Sequence, residues 1–157
     1  MTIKPTDFSE NLPHLLQMLA DPVTPHTSKE IWCRIGAFGW EECLPALQNA
    51  LNSTDPSVIR LVLSILNEQA DVHGSDSLED FVPDILACLK HEDRLVRNGA
   101  IILIQDVQIA DDSIFQDLKG IVRKDEPLLA KEALIALINV DWETVTDVVA
   151  HFRSQPS

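Results

Sequence analysis

The chain has 157 residues, of which 45% are hydrophobic, and 25 acidic residues against 12 lysines and arginines give it a formal net charge of −13. This length fits one domain that buries roughly two thirds of the surface exposed by the unfolded chain. The negative charge argues against binding to the phosphate backbone of nucleic acids and favours solubility or a basic protein partner.

The N-terminal sequence MTIKPTDFSENLPHLL lacks the apolar core of a signal peptide, and no segment approaches the roughly 20 apolar residues of a membrane span. The three cysteines, Cys33, Cys43 and Cys88, follow no disulfide or metal-binding pattern. They are expected to be buried, reduced thiols. We therefore expect a soluble cytoplasmic protein that does not bind membranes.

Four stretches of the sequence repeat one pattern, in which an apolar helix runs into an Asp-rich turn. They are NLPHLLQMLADP, CLPALQNALNSTDP, FVPDILACLKHED and IFQDLKGIVRKDEP. Leu19, Leu51, Leu89 and Ile121 hold the same place in these stretches, at spacings of 32, 38 and 32 residues. Self-similarity at such a period is typical of repeat architectures.

A second helix is predicted after each turn, in SKEIWCRIGAFG, PSVIRLVLSILNEQ, RLVRNGAIILIQDV and PLLAKEALIALINV. Their length of about a dozen residues favours helices over buried strands. Pro56 and Pro127 fit first-turn positions, and Asp55 and Asp93 fit N-cap positions. A closing helix is predicted in DWETVTDVVAHF, which begins at the N-cap candidate Asp141.

The chain is accordingly predicted to be all-α, as a short right-handed α-α solenoid of about four helix pairs and a C-terminal capping helix. Its insertion EQADVHGSDSLED is rich in Gly, Ser and Asp and is predicted to form a loop. In this prediction residues 1–157 are a single repeat domain, with repeats at about 8–39, 41–70, 79–107 and 112–139 and the cap helix at 141–153.

The third repeat, LKHEDRLVRNGAIILI, resembles the HEAT-repeat family in its leucine, aspartate turn, Val-Arg dipeptide, small residue and apolar pair. The resemblance covers roughly residues 8 to 139 and leaves the related armadillo type open. It implies that Asp93 and Arg97 are the turn pair through which the family bonds successive repeats in a ladder. In two other repeats, Ile59 and Ala130 stand where the arginine is expected.

A His-Glu pair, His91-Glu92, lies in the turn of this same repeat. One HEAT-type enzyme family, deoxyhypusine hydroxylase, binds iron through His-Glu pairs in several repeats, but the matching positions here hold Asn98 and Gly99. A metal site needs three or four convergent ligands. We interpret His91-Glu92 as a solvated turn and expect neither a metal site nor a cofactor.

No catalytic constellation can be read from the spacing of the residues, and five glycines provide no phosphate-binding loop. The chain is therefore predicted not to be an enzyme. The leading hypothesis is a protein-interaction module, adaptor or scaffold that binds a protein or peptide. One alternative is an acidic inhibitor or immunity-type protein for a basic enzyme. Another, resting on resemblance of fold alone, is an accessory subunit of a bilin-lyase-like enzyme. The oligomeric state stays open.

The first candidate surface is the concave face, which the second helices of HEAT-like repeats usually line. Residues two, three and six positions after the buried anchors Ile31, Val58, Val96 and Leu129 are expected to face the groove, unless the next repeat buries these apolar runs on all sides. The residues selected for this face are Arg34, Arg60, Ser64, Asn98, Ile102, Lys131 and Ile135.

The second candidate surface is the edge that the turns between repeats share, which is rich in acids. Such acids suit helix N-termini and solubility, and they would also attract a basic partner. The residues selected for this acidic edge are Glu68, Asp71, Asp76, Glu79, Asp80, Asp111 and Asp112.

Overall fold

The computed structural model describes residues 12, 13, 16, 17, 39–109, 111–140, 145 and 146, and every regular element within them is helical. A 3₁₀ helix, Ser75–Phe81, lies between the second and third α-helices. The α-helices are α1 (Trp40–Leu51), α2 (Pro56–His73), α3 (Val82–Leu89), α4 (Arg94–Val107), α5 (Asp112–Lys124) and α6 (Pro127–Val140). The predicted all-α class is thus confirmed for the described part of the chain.

Helices α2, α4 and α6 begin where the sequence predicts. Pro56 and Pro127 are the first residues of α2 and α6. The Asp55 carboxylate accepts a hydrogen bond of 2.8 Å from a backbone N–H in the first turn of α2. The Asp93 carboxylate accepts two, of 2.8 and 3.0 Å, in the first turn of α4. Such bonds satisfy N–H groups that have no partner within the helix, and each cap contributes about 1 kcal/mol.

The prediction of a loop in the insertion is wrong. Helix α2 continues to His73, and the 3₁₀ helix begins at Ser75. Only Gly74 between them leaves the helical conformation, with a φ of 86° that glycine adopts readily. Leu78 and Phe81 are buried at a spacing of three residues, which is the period of a 3₁₀ helix. Burial of this apolar pair therefore overrides the polar composition of the segment.

The chain divides into two compact units, Met1–Leu66 and Asn67–Ser157, with the boundary inside α2. The first unit contains α1, and Leu12, Leu16 and Leu47 belong to its core with 0% exposure. Within this unit the Gln17 side-chain amide donates a 3.1 Å hydrogen bond to the Asp55 carboxylate.

The second unit contains α3 to α6, and its helices contact near neighbours along the chain. Helix α3 contacts α4 and α5, α4 contacts α6, and α5 contacts α6. Its fully buried core side chains include Ile85, Ile101, Leu118 and Leu137. Burying one such side chain stabilises the fold by about 1.5–3 kcal/mol. Contacts between α4 and α6 bring together two of the predicted second helices.

Most of the predicted repeat 8–39 and of the cap helix 141–153 lies outside the described residues. Val145, which belongs to the cap prediction, is buried. None of the described helices is both long enough and apolar enough to cross a membrane.

Candidate functional site

A groove of about 260 Å³ lies between α4 and α6. Its lining residues come from the first turns of each helix, because side chains three and four positions apart share one face of a helix. They are Arg94, Leu95, Asn98 and Ile102 on α4, and Glu126, Leu128, Leu129 and Glu132 at or just before α6. We call this set the α4–α6 groove.

Three side chains of the α4–α6 groove are apolar and exposed. Leu95 is 44% exposed, Ile102 41% and Leu128 68%. Among the described residues, Val72 on α2 is the only other large apolar side chain in this class, at 65%. Scattered apolar residues are common on protein surfaces, whereas these three side chains lie on or beside one groove. The groove therefore presents an apolar surface that a partner can cover.

The apolar run in α4 is buried on one side only. Ile101, Leu103 and Ile104 have 0 to 1% exposure, whereas Ile102 between them is 41% exposed. Leu95 lies seven residues before Ile102 and therefore on the same helix face. The idea that the run is buried on all sides does not hold for Ile102.

Two of the charged groups in the α4–α6 groove neutralise each other. Arg94 Nη1 lies 2.9 Å from Glu126 Oε1, in a pair whose side chains are 52% and 40% exposed. Glu132, one turn after Leu128, is half-buried. No described residue forms a hydrogen bond or ion pair with the Glu132 carboxylate. The groove thus combines apolar surface with one negative charge that lacks a counter-charge.

Only some of the residues predicted for the concave face lie in the α4–α6 groove. Asn98 and Ile102 line the α4–α6 groove. Lys131 is exposed and Ile135 half-buried on α6, and neither lines it. Arg60 and Ser64 lie on α2, where each forms a hydrogen bond within that helix, and Arg34 lies outside the described residues. Those local bonds join Arg60 Nη2 to Ser57 Oγ at 3.0 Å and Ser64 Oγ to the Arg60 carbonyl at 3.2 Å.

Sequence reasoning missed Leu95 and Leu128. Both precede a buried anchor by one position, whereas the concave-face prediction includes only positions after the anchors. Extending the helical period backward from Asn98 and Ile102 reaches Leu95, so the signal was present in the sequence.

A larger cavity, of about 560 Å³, is formed by the 3₁₀ helix, the start of α3 and the turn after α4. Its lining includes the apolar residues Leu78 and Ile109 and three acidic residues. The three are Asp76, Glu79 and Asp111, all predicted for the acidic edge. The other predicted acids, Glu68, Asp71, Asp80 and Asp112, are exposed and do not line it. We call it the acid-rimmed cavity.

The turn that contains His91 and Glu92 is held together by Arg97. Arg97 Nη1 donates hydrogen bonds of 2.8 and 2.9 Å to the backbone carbonyls of His91 and Glu92. Its Nη2 donates to Asp125 Oδ1 at 3.0 Å, and its Nε lies 3.0 Å from Asp125 Oδ2. Of the two residues implied to bond successive turns, Arg97 does so, through Asp125, which lies 28 residues further on, whereas Asp93 caps α4.

The His91-Glu92 pair serves the turn. His91 Nδ1 accepts a 3.0 Å hydrogen bond from the backbone N–H of Asp93, and Glu92 is exposed. Among the described residues, no group of three His, Cys, Asp or Glu side chains could hold a metal ion.

Both described cysteines are free thiols in the core. Burial, with a smaller contribution from Glu42, raises the pKa of Cys43. Burial, with Asp84 adding to it, raises the pKa of Cys88 to about 11. Because the thiolate is the reactive form, these two thiols are poor nucleophiles at neutral pH.

No protein-family model matches the sequence, and no curated protein or solved structure shows significant similarity to it. Function is therefore inferred from the geometry of the chain itself. At about 260 Å³, the α4–α6 groove is smaller than the roughly 300–1,000 Å³ of small-molecule sites. Its size and its exposed apolar walls suit side chains that project from another polypeptide.

Proposed function

We propose that the chain is a non-catalytic protein-interaction module, which binds a segment of a partner protein in the α4–α6 groove. The observation that carries this proposal is the convergence of Leu95, Ile102 and Leu128, all exposed and apolar, on one groove. Each side chain is already partly covered, so completing its burial contributes about 1 kcal/mol. Together they provide about 3 kcal/mol, which is a factor of about 100 in affinity.

The proposal includes a HEAT-like solenoid as the scaffold of this groove. Two observations support it within the second unit. Helices α3 and α5 contact each other, as do α4 and α6, which is the neighbour pattern of stacked helix pairs. In addition, Arg97 and Asp125 bond two successive turns. In such a scaffold α4 and α6 are second helices, and the groove is part of the concave face.

The test is affinity capture from host extract, followed by binding measurements with the purified partner. Ile102→Asp and Leu128→Asp place a charge in the groove without touching the core, and each is expected to weaken binding at least tenfold. Val72→Asp is the matched control for Leu128→Asp, because Val72 is 65% exposed, close to the 68% of Leu128, and lies outside the groove. A partner that binds both groove variants as tightly as the unmodified protein would exclude the groove as its site.

The acid-rimmed cavity favours a second candidate, an acidic inhibitor of a basic enzyme. Asp76, Glu79 and Asp111 surround one cavity, and a concentrated negative surface accelerates association with a basic protein. This candidate predicts a partner whose association rate falls steeply with added salt. It also predicts that Glu79→Gln weakens binding more than Ile102→Asp does, which is the reverse of the order expected for the groove.

A further inference from the structure

The charges in the α4–α6 groove limit which kinds of polypeptide segment can bind there. Resting on the proposed function, we propose that the groove binds an amphipathic helix of a partner protein, and that this helix carries a lysine or arginine beside its apolar anchors. The cation pairs with Glu132, while the anchors cover Leu95, Ile102 and Leu128.

The need for a cation follows from the state of Glu132. Glu132 is half-buried and lines the groove together with Leu128 and Leu129, and no described residue pairs with its carboxylate. Arg94 is already paired with Glu126 at 2.9 Å, so the other charges of the groove sum to zero. A helix that covers Glu132 without supplying a cation leaves a carboxylate desolvated and unpaired, which is costly. A lysine or arginine at this place removes that cost.

The charge of the rest of the chain acts in the same direction. The chain carries a net charge of −13, and the acid-rimmed cavity at the far end of α4 holds three further carboxylates. Lys131, next to Glu132 in sequence, is exposed but does not line the groove. A basic segment is therefore attracted as it approaches, whereas an acidic one is repelled.

A helix is the conformation that fits this surface best. An added β-strand needs an exposed sheet edge, and residues 39–109 and 111–140 contain no strand. A polyproline segment needs aromatic walls, and none of the eight described lining residues is aromatic. The apolar positions Leu95 and Ile102 lie about 10 Å apart along α4, which is the distance between residues i and i+7 of a second helix.

The experiment uses a displayed library of alanine-based helical peptides of about 15 residues, randomised on one face. The library is selected against the full chain, and each enriched peptide is synthesised and titrated by fluorescence anisotropy. Four forms of the protein are compared: unmodified, Ile102→Asp, Glu132→Gln and Glu41→Gln. The last is the matched control, because it removes the same charge from an exposed acid outside the groove.

The expected result is a consensus of apolar residues at i, i+3 or i+4, and i+7, with one fixed lysine or arginine. Ile102→Asp raises the Kd of these peptides at least tenfold. Glu132→Gln raises it about fivefold, the size of effect expected for one partly buried ion pair, and Glu41→Gln leaves it within about twofold.

Two other outcomes separate this inference from the function on which it rests. Peptides that need Ile102 but carry no fixed cation, and that bind Glu132→Gln as tightly as the unmodified protein, overturn the cationic helix and leave the groove intact. If Ile102→Asp weakens no enriched peptide, the groove itself is not a binding site, and both proposals fail.

Discussion

Replacing Arg97 with alanine is expected to lower the free energy of unfolding by about 3 kcal/mol. The guanidinium makes two hydrogen bonds to backbone carbonyls and a two-point contact with Asp125. Hydrogen bonds to a charged group contribute about 1.5–3 kcal/mol each, but they are not additive. The side chains of Arg97 and Asp125 are 18% and 20% exposed, so water reaches them only in part. Breaking such a pair costs about 3–5 kcal/mol when it is fully buried.

Arg94 provides the comparison within the same helix. It lies one turn before Arg97 and pairs with Glu126, the residue after Asp125, at a similar distance of 2.9 Å. Because its side chain is 52% exposed and that of Glu126 is 40% exposed, Arg94→Ala is expected to cost about 0.5 kcal/mol. Arg97→Lys keeps the charge but loses the planar fork, so about half of the Arg97→Ala effect is expected.

The assay is urea denaturation followed by far-ultraviolet circular dichroism. All variants are fitted with one common m-value, the slope of the free energy of unfolding against urea concentration. A cost for Arg97→Ala no larger than that for Arg94→Ala would refute the reasoning. It would mean that the link between the two turns is an exposed contact that contributes nothing measurable.

Three further predictions concern single positions. Gln108 follows the last residue of α4 with a φ of 56°, so Gln108→Gly is expected to stabilise the fold by about 0.5 kcal/mol. Gln116→Gly, inside α5, is expected to destabilise it by about 1 kcal/mol. Urea midpoints of the two variants that shift in the same direction would contradict this. Because the pKa of Cys88 is raised in the folded state, the thiol of the unfolded chain loses its proton first as pH rises. The free energy of unfolding is therefore unaffected by this thiol below pH 9.0 and falls by about 2 kcal/mol as pH rises towards about 11. Cys88→Ala should flatten this pH profile, and an unchanged slope would exclude the thiol as its cause. Ile102→Asp should change the melting temperature by only a few degrees, whereas Ile101→Asp, which places a charge in the core, should prevent folding; equal losses in calorimetry would show that Ile102 is buried.

Local chemistry made much of the fold predictable. The periodic leucines, the prolines and the acids before α2 and α4 have the same physical role in any helical context, and they placed the starts of α2, α4 and α6 correctly. The insertion failed because its composition is polar while two apolar residues, Leu78 and Phe81, decide its structure by burial. Local composition does not reveal which apolar residues find a core.

Two of the eight residues that line the groove were predicted, because the others depend on which helices lie close together in space. Helical spacing alone selects Asn98 and Ile102, but whether Ile102 is exposed depends on where α6 packs against α4. The partner of Arg97 is Asp125, 28 residues away, and no local pattern distinguishes it from the nearer Asp93. The sequence also does not show whether Glu132 has a counter-charge, since this depends on which charged groups the fold brings close to it.

The neighbour contacts among α3, α4, α5 and α6 also have a consequence for the speed of folding. Each contact joins helices that are adjacent or next but one along the chain, so only short stretches of polypeptide must close before it forms. Loop closure then costs little entropy, and helical proteins with such local contacts fold in microseconds to milliseconds. We expect this part of the chain to refold within about a millisecond after dilution from denaturant, early enough for α3 and α4 to associate while later residues are still being synthesised.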